Sequence, residues 1–365
     1  MKIIKKTIDN TPLYPIERLG DPRELLFVDI ENTGFLAASS HLYLIGCVAL
    51  EEDQWVGIQW FAQTYEEETE ILEAFFTYAA SKKTLVHFNG TTFDLPFLDQ
   101  KCRHHRLSYS TESFESIDLY RRLSPFKQML GLPNCKQKTL EQFLGTSRED
   151  LYDGGELIGI YRDYLSHPTP EAEELLLLHN REDIQGMLSI LPALFYYDLF
   201  LLDVTVTRVQ ANYYRDLSDR VRMELLMTLS LPVSVPKLAS LSGNDCYLML
   251  NGDTGSLKVP VYEEELKYFY ANYKDYYYLP TEDVALHKSV ASFVDSEHRV
   301  QATAATCYTR KHSRYLPQWG LFREPFFKRE YKSKDLFFEL TDEFKRDRSA
   351  FSEYANHLLA MLIAL

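Results

Sequence analysis

An Asp-x-Glu at the far end of an unbroken apolar run is the feature that most limits what this chain can fold into. Leu25-Leu26-Phe27-Val28 reads as a strand buried on both faces, and Asp29 and Glu31, two residues apart, leave it on the same side of the pleat. Side-by-side carboxylates on a buried strand repel each other unless a cation joins them. Alone, such a pair is more often a solvated strand end. Two further segments weigh against that reading. An apolar strand over 84–88 reaches Asp94 through the turn Asn89-Gly90-Thr91-Thr92-Phe93, which opens a helix. A helix beginning near Thr169-Pro170 carries His179 and Asp183 four residues apart, on one face. Taken singly, Asp94 is an ordinary helix-start acid and His179 with Asp183 an ordinary helical pair. Their order, at the separations a compact α/β domain needs, gathers the acids into one site.

Residues 25–29, 42–50 and 55–61 read as consecutive strands, 69–80 and 97–106 as helices, and a short strand ends at Asp118. Asp118 is expected to be structural or substrate-positioning rather than a fifth ligand. Residues 138–144, 159–165 and 171–195 have helical spacing. The texture changes near 201–203, which divides the chain into an expected α/β domain over 1–200 and an α+β, strand-rich accessory domain over 201–365. In the latter, 204–213 alternates as a strand. Residues 246–250 and 256–262 flank Asn251-Gly252-Asp253-Thr254-Gly255 as a hairpin, Thr281 caps a helix over 282–294, and 344–365 closes the chain as a helix.

The string Phe27-Val28-Asp29-Ile30-Glu31-Asn32-Thr33-Gly34 resembles the first motif of the DEDD, or DnaQ-like, exonucleases. His87-Phe88-Asn89-Gly90 through Phe93-Asp94-Leu95-Pro96-Phe97-Leu98 is similar to the second motif, most closely in the YprB-like branch of the ribonuclease H-like superfamily. Ile117-Asp118-Leu119-Tyr120, Lys138-Thr139-Leu140-Glu141-Gln142-Phe143-Leu144-Gly145 and Gly154-Gly155-Glu156 to Tyr161 resemble the same branch. The likeness spans about residues 20–198. It implies a ribonuclease H-like core and a 3′–5′ exonuclease that hydrolyses phosphodiesters with two Mg²⁺ or Mn²⁺ ions about 4 Å apart. By the same resemblance Asp29 bridges the ions, Glu31 and Asp183 complete the first, and Asp94 holds the second. His179 is then the general base, and Thr33, Gly34, Asn89 and Phe93 meet the terminal nucleotide. The implied substrate is a single-stranded 3′ end, of DNA in preference, with a helicase or other repair partner. The sequence departs from the motifs in two places. His-x-x-x-Asp is the spacing of the tyrosine class with histidine in place of tyrosine, and Asn32 replaces the common Thr. A structure-specific nuclease of the same fold is the nearest alternative. A non-catalytic adaptor has no use for four mutually repelling acids.

The net charge of −14 looks wrong for a nucleic-acid protein until the chain is split. Residues 1–200 hold 18 Lys and Arg against 31 Asp and Glu, whereas the remainder holds 21 against 22. The acidity therefore belongs to the first half, in the acid site and in Glu66-Glu67-Glu68-Thr69-Glu70, which reads as a solvated helix start. Residues 299–334 carry nine basic residues against two acids, interleaved with aromatics. That pattern suits a single strand, with Arg310, Lys311 and Arg314 on its phosphates, and it equally suits a charged face over an aromatic core. No apolar stretch approaches 18 residues, the start Met1-Lys2-Ile3-Ile4-Lys5-Lys6 lacks a signal peptide's apolar centre, and five scattered cysteines form no Cys-x-x-Cys. A cytoplasmic protein with reduced thiols and no membrane contact is expected.

If Asp29 bridges the catalytic ions, Asp29→Asn lowers hydrolysis by at least about a hundredfold while the fold is retained. Turnover measured beside circular dichroism checks this, and a wild-type rate would remove Asp29 from the mechanism.

Overall fold

The computed structural model describes residues 1–363 apart from 10, 151, 153 and 217. The chain forms two compact units, 1–198 with 235–237, and 199–234 with 238–365. The first is built on a six-stranded sheet of β1 (Lys2–Ile8), β2 (Leu25–Asn32), β3 (Leu42–Glu51), β4 (Gln54–Phe61), β5 (Thr84–His87) and β6 (Glu115–Asp118). Spatial order is β1-β4-β3-β2-β5-β6, antiparallel from β1 to β2 and parallel from β2 to β6. The helices are α1 (Glu68–Ala79), α2 (Asp94–His104), α3 (Leu119–Leu123), α4 (Gln137–Leu144), α5 (Gly154–Ser166), α6 (Pro170–Ile190) and α7 (Leu194–Leu199). The α/β ribonuclease H-like core expected from the sequence is present.

Local chemistry accounts for the main elements. Leu25 through Val28 are fully buried because β2 lies inside the sheet. The β3–β4 hairpin turns at Glu52 and Asp53, both left-handed at φ 45° and 69°, as a two-residue connection requires. Thr169 caps α6 by accepting the Ala172 amide at 3.2 Å, and Pro170 takes the first helical position, where its missing N–H costs nothing. The expected helix over 171–195 stops at Ile190, because Pro192 in the following 3-10 turn cannot continue it, and resumes as α7. Glu68 is not solvated. It is buried at 2% exposure, accepts the Leu42 amide at 2.6 Å and pairs with Lys101 at 2.8 Å and His105 at 2.7 Å, which ties α1 to α2 and β3.

The second unit carries β7 (Thr205–Arg215), β8 (Val221–Gly243), β9 (Cys246–Phe269), β10 (Tyr276–Leu279), β11 (Val284–His287), β12 (Val300–Gln301), β13 (Tyr308–Gln318), β14 (Phe326–Phe327) and β15 (Leu336–Glu339). Its helices are α8 (Lys288–Ala291), α9 (Asp342–Arg346) and α10 (Arg348–Ile363). One sheet runs β14-β15-β13-β9-β8-β7 and a smaller one β11-β10-β12. Along β8 the residues Leu225, Met227, Leu229, Leu231, Val233 and Val235 are buried in strict alternation, the mark of a strand with one covered face. The strand-rich second half is therefore also as expected, with two local corrections. The hairpin turn falls at Asn244 and Asp245, at φ 50° and 61°, while residues 251–255 stay inside β9. Two short polar residues that tolerate left-handed backbone outcompete the Gly-containing stretch. The helix expected over 282–294 is β11 followed by the single turn α8, because Asp283 at φ 53° cannot sit in a right-handed helix and Val284–His287 pairs with β10. The closing helix is α10, and residues 364 and 365 lie outside the described residues.

One row of the first sheet sets the height of α6 above it. Asp29, Gly46 and Gln59 stand side by side across β2, β3 and β4. A Cβ on Gly46 would lie 2.0 Å from Oδ1 of Asn180, a fully buried residue of α6. The bare backbone at Gly46 is what lets α6 settle this low. Gly46→Ala should therefore destabilise the protein by about 1–3 kcal/mol through overpacking. Gly159→Ala, in α5 with nothing within 4 Å of the added carbon, should be neutral or stabilise by about 0.4–1 kcal/mol. Urea denaturation of both variants checks the contrast, and equal stabilities would mean that α6 adjusts freely.

Candidate active site

The structure brings Asp29, Glu31, Asp94, His179 and Asp183 together, from β2, the start of α2 and α6. Asp29 and Glu31 leave β2 on the face that α6 covers. The Asn180 amide donates from Nδ2 to Asp29 Oδ2 at 3.0 Å, while its Oδ1 accepts from Gln59 Nε2 at 2.9 Å. The same Gln59 nitrogen donates to the Leu177 carbonyl at 2.9 Å, so the polar row beneath α6 fixes both the height and the rotation of the helix. One turn of helix then stacks His179 above Asp183, with His179 Nε2 at 3.3 Å from Asp183 Oδ2 and 3.6 Å from Glu31 Oε1.

Asp94 arrives by a different device. Asn89, at φ 64°, turns the chain out of β5, and a Cβ on Gly90 would lie 2.8 Å from both Asp94 Oδ2 and the His87 ring. Asp118 secures this turn. Its carboxylate accepts the Asn89 amide at 2.9 Å and the Thr91 hydroxyl at 2.8 Å, and it caps α3 through the Tyr120 amide at 3.0 Å. Burial opposes its ionisation, but these hydrogen bonds and His87 outweigh that and hold it below the ordinary carboxylate range. Asp118 is thus the support of Asp94, in line with the structural role expected of it.

Repulsion marks the rest of the cluster. Asp29 is pushed well above the usual carboxylate range by burial and by the charges of Asp183, Glu31 and Asp94. Glu31 is pushed up in the same way by burial, Asp183, Asp94 and Asp150. Asp94 is raised to about 7 by burial, Asp118 and Asp183. Among the described residues no lysine or arginine pairs with Asp29, Glu31 or Asp94. Asp183 has Arg148, whose Nη1 lies 2.5 Å from Oδ1, and the buried Glu141 holds the same guanidinium through both its oxygens.

Sequence reasoning assigned no role to Arg148, Asp150, Asn180 or Glu182, yet they frame the site. Asp150, with a side chain 1% exposed, accepts from His179 Nδ1 at 2.7 Å and from Lys138 Nζ at 2.9 Å. Glu182 accepts the amides of Glu149 and Asp150, each at 2.9 Å, and so pins the segment between α4 and α5 onto α6. Asn180 and Glu182 lie inside the His179–Asp183 string, where their position between two site residues is the only signal the sequence offers.

The residues expected to touch substrate are less alike. Asn89 shapes the turn before Asp94. Thr33 and Gly34 follow Glu31, but their amides are already engaged, by the His41 carbonyl at 2.9 Å and by Asn32 Oδ1 at 3.0 Å. Phe93 packs edge-on against Phe35 at 6.2 Å. Phe35, 88% exposed, and Leu36, 71% exposed, rim with Phe93 and Phe97 a cavity of about 200 Å³ directly after the β2 acids. Arg310, Lys311 and Arg314 stand on β13 in the second unit, each with a carboxylate of that unit: Glu265 at 3.1 Å, Glu339 at 2.6 Å and Glu263 at 3.0 Å. Of the aromatics around them, Tyr308, Tyr315 and Phe327 are buried, which favours the core reading of that tract.

The first unit is thus an acid-centred α/β domain of ribonuclease H-like fold. Residues 26–195 match a family model described as RNase_H superfamily. No match to a curated protein was found. Among solved structures, the family B DNA polymerase of the archaeon Pyrobaculum calidifontis is similar at 15% identity and a TM-score of 0.39, over 48% of this chain and 25% of that one. E. coli exonuclease I is similar in its zinc-bound single-stranded DNA complex, at 11% identity and a TM-score of 0.28, over 57% of this chain and 55% of that one. The same figures hold for its complex with a dA13 oligonucleotide. The chain therefore spans a quarter of the polymerase's length and about half of the exonuclease's. Among the described residues no helix is long and apolar enough to cross a membrane.

A carboxyl with a raised pKa in the folded chain keeps its proton there to higher pH than in the unfolded chain. Its penalty is absent below the unfolded value, near 4, and grows as pH climbs through about 7, the folded value of Asp94. In chelator, the wild type should therefore lose stability relative to Asp94→Asn as pH rises from about 4 to 7.5. Saturating Mg²⁺ or Mn²⁺ should restore the wild type more than Asp94→Asn, which keeps the other acids of the cluster. Melting curves across that range check it, and parallel pH profiles in chelator would show that Asp94 carries no such strain.

Proposed function

We propose that this chain is a metal-dependent nuclease that removes nucleotides from the 3′ end of a single strand, DNA in preference to RNA. The observation that carries this reading is the buried acid cluster. Three chain segments deliver four carboxylates to one place, and three of the four are strained upward with no lysine or arginine paired with them among the described residues. Hard divalent ions take such oxygen donors, so the residues fit Mg²⁺ or Mn²⁺. Asp29, Glu31, Asp94 and Asp183 would hold two ions, with His179 beside them. Bound there, the ions would lower the pKa of a water so that it loses a proton and attacks phosphorus as hydroxide, and would neutralise charge on the leaving oxygen.

The chain's own residues do the positioning. Asn180 holds Asp29 by one oxygen, and Arg148 ties Oδ1 of Asp183 while Oδ2 faces the cluster. Asp118 keeps the turn that presents Asp94. The exposed side chains of Phe35 and Leu36, with the half-buried Phe93, offer a terminal base an apolar shelf beside the acids. The 3′–5′ polarity is supported by the motif resemblance. Five free, buried cysteines suit a reducing, cytoplasmic setting, where a helicase or other repair protein would present the strand. Arg310, Lys311 and Arg314 would reach phosphates only by leaving their carboxylate partners, so the catalytic unit is assigned the strand end.

The deciding assay uses DNA and RNA strands labelled at either end, with Mg²⁺, Mn²⁺ or chelator. A 5′ label should give a ladder of progressively shortened strands and a 3′ label should give mononucleotide at once, with neither product in chelator. Phe35→Ala should raise KM about tenfold or more, as expected for a lost stacking contact, with a smaller effect on kcat. Cutting of circular single strands would reassign the site to an endonuclease, and no cutting under any metal would favour an adaptor.

A further inference from the structure

We propose that His179 is a metal ligand: its Nε2 joins Glu31 and Asp183 in a three-donor site for a divalent transition ion, and Asp150 orients it from behind. The inference rests on reading the acid cluster as a metal site and deepens that reading, since it changes which ion the site prefers and what the histidine does.

The argument begins with the hydrogen bond on the far side of the ring. Asp150 is anchored by Lys138 at 2.9 Å and by the Tyr152 amide at 3.0 Å, and its carboxylate can only accept. Nδ1 of His179, at 2.7 Å, therefore carries the hydrogen, and the imidazole is locked with Nε2 toward Glu31 and Asp183. A buried nitrogen is thus fixed facing two carboxylates. Its distances to them, 3.3 Å and 3.6 Å, are long for charge-assisted hydrogen bonds, which run about 2.7–2.9 Å. They do match neighbouring ligands around one ion. With metal–ligand bonds of about 2.1 Å, donors that subtend angles from about 90° to about 120° stand roughly 3.0–3.6 Å apart. One ligand atom from each of the three residues lies within 4.8 Å of the others.

The remaining contacts fit the same assignment. Arg148 occupies Oδ1 of Asp183 and leaves Oδ2 on the side of Nε2. A carboxylate–histidine pair with the other ring nitrogen turned inward is the arrangement that holds histidine ligands in tautomer and raises their basicity. An imidazole among the donors shifts preference from Mg²⁺, which takes oxygen and water, toward transition ions that accept nitrogen.

The test uses the full-length protein loaded with Mn²⁺ at known stoichiometry and read by electron spin echo envelope modulation. The wild type should show ¹⁴N modulation from a directly bound imidazole. Labelling with ¹⁵N-histidine should replace it, and His179→Ala should abolish it. His179→Ala should weaken Mn²⁺ binding by at least about tenfold and Mg²⁺ binding less, and Asp150→Asn should weaken Mn²⁺ binding about 10- to 100-fold. Bound Mn²⁺ without nitrogen modulation, with cleavage still metal-dependent, would overturn this proposal alone and return His179 to the water. Nitrogen modulation without any cleavage would instead overturn the nuclease reading and leave the metal site standing. Failure of the wild type to bind Mn²⁺ at all would overturn both.

Discussion

Four carboxylates repel one another inside a single buried cluster, and most of what is unusual in the first unit keeps them there. The restraints are mechanical before they are chemical. Gly46 gives up its side chain so that α6 can lie low, Asn180 and Gln59 fill the gap with hydrogen bonds, and Asp29 is held by the result. Asp118 performs the same service for Asp94 from the far end of the parallel strands. Arg148 and Lys138 bring positive charge to the margin of the cluster, at Asp183 and Asp150, and leave its centre uncompensated. A site balanced in this way is strained without a cation and relieved with one, which couples occupancy to stability.

The primary acids were legible in the sequence because each sits at a point where local pattern changes: the end of an apolar strand, the start of a helix after a Gly turn, one turn along an amphipathic helix. Those transitions are set by neighbours within a few residues. The supporting residues were not legible, because their roles are defined by partners far along the chain. Asn180 meets Asp29 across 151 positions and Asp150 meets His179 across 29, and nothing in the local text of either marks the meeting. The same limit explains the misplaced hairpin in the second unit. Asn251-Gly252 has the better turn composition, but it lies inside β9, which has β8 as a neighbour in the sheet, and the turn falls at Asn244 and Asp245.

Charge composition was also an incomplete guide. The basic tract of residues 299–334 is real, yet its partners come from β9 and β15 rather than from its own segment. Glu263, Glu264 and Glu265 on β9 take Arg314, Arg329 and Arg310 in turn. Pairs of this kind at the surface contribute little stability each. A count along the chain sees only positive charge where, on β13 and beside it, Arg310, Lys311, Arg314 and Arg329 are each paired with a carboxylate.

The segment joining α4 to α5 looks like a connector and behaves as a wall of the site. Within three consecutive residues Arg148 grips Asp183, Asp150 grips His179, and the amides of Glu149 and Asp150 are clasped by Glu182. Surface connectors ordinarily absorb insertions as proteins diverge, and the two-residue turn at Glu52 and Asp53 is free to do so. The stretch from Arg148 to Asp150 has no such freedom, since one added residue would pull apart grips that share a single helical turn of α6. Length variation among related chains should therefore collect on either side of these three residues and spare the interval between them.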